Sequence, residues 1–158
     1  MRKLDLKDWA ALGELIGTIA VVVSLVFVIV SLKQNTDALQ GVNDNVLFEQ
    51  HGDMMNIVIS DPSMAAILAK KRNDDQLTQV EAIRWERYQN NLLDIWVMAF
   101  VRHERGLLDD DHWQAWNVYF TDLFSNQAEQ ITRERWDELQ YGFDPDFWRH
   151  VNEALFAD

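Results

Sequence analysis

The chain has 158 residues, with 26 Asp and Glu against 14 Lys and Arg, a net charge of −12 and no cysteine. Without a thiol, disulfides, thiolate zinc sites and cysteine nucleophiles are excluded. A surface this acidic repels phosphate backbones, so nucleic acid is not an expected partner.

Leu15 to Leu32 carries no charge over 18 residues, and 13 of them are Leu, Ile, Val or Phe. At ~1.5 Å of rise per residue a helix over this run spans ~27 Å, close to the ~30 Å hydrocarbon core of a bilayer. The valine-rich stretches Val21–Val23 and Val28–Val30 have strand-like propensity. A lone strand in lipid would leave its backbone groups unpaired, so a helix is expected. Trp9 before the run and Lys33 after it are interfacial residues. No small-x-small cleavage site follows Leu32, so the helix is expected to be retained rather than removed as a signal peptide.

Ala10, Gly17, Ser24 and Ser31 recur every seven residues, with Gly13 and Ala20 interleaved. Small residues on one stripe let helix backbones approach, and a seven-residue period implies left-handed crossing. This stripe is the expected oligomer seam. Glu14 lies beside it as a candidate intramembrane polar site, either snorkelling to the interface or facing the seam.

Beyond the anchor, residues 34–158 hold 10 of the basic residues and 23 of the acids. A domain of this size can bury a core without staples. Asn35 or Thr36 is read as a restart cap for a helix leaving the membrane. Asp61-Pro62 starts a short helix running to roughly Lys70. Thr78-Gln79-Val80-Glu81 is a capping box, and the helix it opens ends at Gly106. Leu92 to Val101 is apolar except for Asp94 and too short to cross a bilayer, so it is expected to be a buried core helix. Asp109, Asp110 and Asp111 cap the next helix, with a stripe of Trp113, Trp116, Phe120 and Phe124. A further helix is expected from Glu129 to Tyr141, stopped at Gly142. Asp144-Pro145 starts the last one, with Phe147, Val151 and Leu155 facing inward.

Candidate chemistry is sparse. Asp109 and His112 have a spacing that places two metal ligands on one helical face, but no second Glu-x-x-His completes a site, and capping explains the aspartates. His51, His103 and His150 stand alone. Asp94 is the candidate for a perturbed pKa, with a structural ion pair to Arg84 or Arg102 expected. Nucleophile elbows and glycine-rich phosphate loops are missing from the sequence. No enzymatic activity and no cofactor are expected.

The stretch Ala11–Val28 followed by Lys33-Gln34-Asn35-Thr36 resembles a group of small uncharacterised bacterial single-pass membrane proteins. Arg105-Gly106-Leu107-Leu108 and Phe143-Asp144-Pro145-Asp146-Phe147 are also similar to that group. The resemblance implies one membrane helix, a helical domain and a bacterial inner membrane, and no activity. Members carry further arginines just after the Gln-Asn-Thr, whereas this chain has Asp37 and no basic residue until Lys70.

The expected fold is all-α. Residues 1–33 form a tail and one transmembrane helix, and residues 34–158 a compact acidic bundle of about five helices. The expected function is a membrane-anchored interaction or scaffold protein that self-associates, with the lipid bilayer and a second copy or another membrane protein as partners. A small oligomeric channel or transport accessory, and a membrane-tethered ligand sensor or enzyme, are the alternatives. Arg2, Lys3 and Lys7 before the helix against Lys33 after it favour a cytoplasmic N-terminus and a periplasmic domain, with the domain on the cytoplasmic side as the alternative that the resemblance and the short N-terminal tail leave open.

Overall fold

A computed structural model describes residues 6–126 and 128–157, apart from the side chains of residues 6–8, 11 and 126. Arg2, Lys3 and the Lys7 side chain, which carry the orientation argument, lie outside the described residues. The order is α1 (Leu6–Ser60), α2 (Pro62–Arg72), α3 (Gln79–Glu104), α4 (Asp110–Asn126), α5 (Arg133–Leu139), a 3-10 turn (Gln140–Gly142) and α6 (Pro145–Phe156). No strand occurs among the described residues. The protein is all-α, as its sequence pattern requires.

The chain divides into two units, the first ending at Leu39 and the second beginning at Gln40. In the first unit α1 is one unbroken helix, and the expected restart at Asn35 or Thr36 is absent. The Thr36 hydroxyl instead donates to the Leu32 carbonyl at 3.1 Å, spending on its own helix the group that would have capped a new one.

The second unit is held by local start and stop signals of the expected kind. Asp61 caps α2 by accepting from the Ser63 amide at 2.9 Å, with Pro62 at the first position. The capping box of α3 is complete: Glu81 accepts from the Thr78 amide at 2.8 Å, and Thr78 accepts from the Glu81 amide at 3.3 Å. Gly106 follows the end of α3 at φ +68°, the left-handed conformation that favours glycine at a helix terminus. The Leu107 amide closes that turn onto the Arg102 carbonyl at 2.8 Å. The helix expected from Glu129 starts later. Thr132 accepts from the Arg135 amide at 3.3 Å and sets the start of α5 at Arg133, leaving Glu129 outside any helix.

The core is aromatic. Trp96 of α3 is fully buried, stacked against Phe120 and Phe124 of α4, with Phe147 of α6 edge-on at 5.6 Å. Aromatic contacts of these geometries add roughly 0.5–1.5 kcal/mol beyond their buried area. Trp136 of α5 stacks on Phe143 and meets Phe147 edge-on, which ties the last two helices to the same cluster. Leu47 and Met54 of α1 and Met64, Ile67 and Leu68 of α2 complete it.

Candidate functional site

In the first unit every described side chain from Leu12 to Gly17 and from Thr18 to Leu39 is exposed. Phe27 and Ile29 are 73% and 65% exposed. One helix among the described residues is long and apolar enough to cross a membrane, and none of its most apolar window is buried. The seam residues Ala10, Gly13, Gly17, Ala20, Ser24 and Ser31 share this exposure, as do Trp9, Glu14 and Lys33. A Cβ built on Gly13 or Gly17 meets nothing within 4 Å, so that face is open. The Thr18 hydroxyl donates to the Glu14 carbonyl at 2.9 Å and the Ser24 hydroxyl to the Ala20 carbonyl at 2.8 Å. Both polar groups are thereby satisfied within their own helix.

The expected pairing of Asp94 is not what forms. Asp94 is exposed, and neither arginine meets it. Arg84 pairs with Asp61 and donates to the Ser63 hydroxyl, and Arg102 donates only a long 3.5 Å contact to the Asn43 carbonyl. The apolar side chains around Asp94 do raise its carboxyl pKa by partial desolvation. The reason for the difference is helical phase. Leu92, Leu93, Ile95 and Trp96 fill the buried arc of α3, and Asp94 falls outside it.

The four histidines each have a polar partner. His112 lies three residues after its cap, donating its amide to Asp109 at 2.9 Å and meeting the other Asp109 oxygen through Nδ1 at 2.7 Å. That hydrogen bond raises its pKa, helped by Asp44 near Nε2 at 3.5 Å. His103 stacks on Trp113 and meets Asp110 at 3.0 Å. His150 meets Asn117 at 2.7 Å, and His51 meets the Tyr119 hydroxyl at 2.9 Å.

This last pair belongs to a constellation the sequence pattern did not reveal. Phe48, His51, His112, Ala115, Trp116 and Tyr119 line a cavity of about 240 Å³ between α1 and α4. Burial lowers the His51 pKa and raises that of Tyr119, with the charge of Glu129 adding to the latter. Glu129 itself is buried, its Oε2 has no hydrogen-bond partner among the described residues, and desolvation pushes its pKa up. A second cavity of about 310 Å³ is lined by Asn43, Val97, Met98, Val101, Arg102, Arg105 and Leu107. Among the described residues neither guanidinium in it has a carboxylate within ion-pair reach.

The geometry defines an all-α protein with one exposed apolar helix of membrane-spanning length and an aromatic-cored helical unit bearing small cavities. No family model, curated protein or solved structure matches the chain.

Proposed function

We propose that this chain is a single-pass, membrane-anchored helical interaction protein that self-associates through its anchor. The observation that carries the reading is the exposure of the whole Leu15–Leu32 run. Burying one such side chain is worth roughly 1.5–3 kcal/mol, so water is the wrong solvent for thirteen of them. Lipid suits them, and it also suits a helix whose Thr18 and Ser24 hydroxyls are turned onto its own carbonyls. The same two bonds argue against a water-filled pore, which needs polar groups free to face an axis.

The membrane is the bacterial inner membrane, and the second unit lies on the periplasmic side. Three basic residues before the run against one after it support that orientation. Alkaline phosphatase fused after Asp158 tests it: enzyme activity in cells is expected. An inactive phosphatase together with a fluorescent protein that matures at the same position reverses the orientation. Recovery of the full chain in the soluble fraction overturns the anchor itself.

A further inference from the structure

Four arginines in this acidic chain are spent on carboxylates: Arg84 on Asp61, Arg133 on Asp137, Arg135 on Glu138 and Arg149 on Asp146. Arg102 and Arg105 depart from that pattern, and they line one cavity. Arg102 is half-buried and spends one of its five N–H donors on a 3.5 Å contact to the Asn43 carbonyl. The Arg105 amide closes the end of α3 on the Val101 carbonyl at 3.2 Å, and its guanidinium makes no hydrogen bond or ion pair with any described residue. Glu104, between them in sequence, is exposed and lies 3.8 Å from His103. The C-terminal end of α3 offsets about half a positive charge. Two guanidiniums exceed that, so a net positive wall remains.

Much of the remaining lining is apolar. Val97, Val101 and Leu107 are half-exposed side chains with the cavity as their surroundings. At about 310 Å³ the space is roughly twice the ~150 Å³ that admits a benzene ring. A bare anion would leave these side chains against water, and a pure hydrocarbon would leave two guanidiniums without a partner.

We propose that this cavity binds an anionic amphiphile. Its oxyanion head is held by Arg102 and Arg105, and the first part of its alkyl chain lies along Val97, Val101 and Leu107. Carboxylate and phosphate heads share the planar-fork recognition that guanidinium provides. Such a head comes either from a diffusible molecule or from a membrane lipid.

The test uses the full chain in nanodiscs of zwitterionic lipid, titrated calorimetrically with octyl phosphate after subtraction of empty discs. Inorganic phosphate and 1-octanol serve as half-ligands. Octyl phosphate is expected to bind at least about tenfold more tightly than either, the scale of one charge-assisted interaction. Arg102→Gln and Arg105→Gln should each weaken it about fivefold or more, and the pair should abolish it. Arg105 is exposed, so its variant reports even if Arg102→Gln impairs folding.

Octanol binding as tightly as octyl phosphate would mean the arginines are unused, and equal binding of inorganic phosphate would mean the apolar wall is unused. Either result overturns the proposal, as does undiminished binding to the double variant. Repeating the titration in phosphatidylglycerol discs identifies the source. Competition by the discs assigns a lipid headgroup, and unchanged affinity assigns a diffusible amphiphile; both results leave the site in place.

Discussion

Trp96 and Asn117 are joined across the core, the indole Nε1–H of α3 donating to the amide oxygen of α4 at 3.2 Å. An indole nitrogen only donates, so the atom it meets is the oxygen. The His150 Nε2 lying 2.7 Å from that same oxygen must then also carry its hydrogen. One side chain of α4 therefore sets the tautomer of a histidine on α6 and satisfies a fully buried tryptophan on α3. Asn117→Leu strands both donors. Thermal melts of the full chain in detergent should show a loss of about 1–3 kcal/mol, the cost of an unsatisfied buried donor.

Burial holds the His150 pKa below its ordinary value of 6.5. The unfolded chain then binds the proton more readily, so stability is full above 6.5 and falls as the pH drops below it. His51, also lowered by burial, acts in the same direction. His150→Gln keeps a donor near the Asn117 oxygen without a titrating ring. Its melting temperature should be lower at pH 7.5, with the gap to the parent narrowing toward pH 5; a constant gap would show that His150 does not titrate in this window.

The start of α3, the start of α6 and the glycine after α3 were legible in the sequence, because each rests on side chains within three or four residues of one another. Thr36 was misread because its hydroxyl has two local uses, and the donation to Leu32 rather than a cap is decided by helix continuing on both sides. Glu129 was misread because the cap that starts α5 at Thr132 competes with the acidic residues before it. The cavities were not legible at all. His51 and Tyr119 are 68 positions apart, and nothing local to either residue indicates the other. Arg102 and Arg105 look like ordinary basic residues at a helix end until packing shows that no described acid reaches their guanidiniums.

Glu129 gives a pH dependence from the acid side. Its buried carboxyl has a raised pKa, so its contribution to stability is present below its ordinary value of 4.5 and is lost as the pH rises through the folded value. Glu129→Gln removes that loss. The variant's melting temperature should rise relative to the parent between pH 5 and pH 8, and parallel curves would place the carboxylate in water.

Asp94→Leu should be close to neutral, within about 0.5 kcal/mol, as for a surface position without a partner. Its raised carboxyl pKa works weakly against folding at neutral pH, and exposure to solvent limits that effect. Loss of several kcal/mol in a denaturant titration would require a buried ion pair that the geometry does not contain.

Gly13→Ile and Gly17→Ile test the seam. Both glycines present open backbone, and an isoleucine at either holds a second helix away. Mass photometry in nanodiscs should show the wild-type oligomer replaced by monomer in the double variant. A wild type that is already monomeric removes the self-association reading and leaves the anchor intact.

Glu81 has a consequence for how the second unit opens. Its carboxylate caps α3 through the Thr78 amide and receives the Lys70 ammonium from the last turn of α2 at 2.7 Å, which holds its pKa down to about 2. Two helix ends that would otherwise fray independently share one anion, so neither is released without exposing the other. In deuterium exchange, the amides closing the end of α2 and those opening α3 should therefore exchange at one common rate. In Glu81→Ala that shared protection should divide into two faster, unrelated rates, and the hinge at residues 73–77 becomes a place where proteases cut.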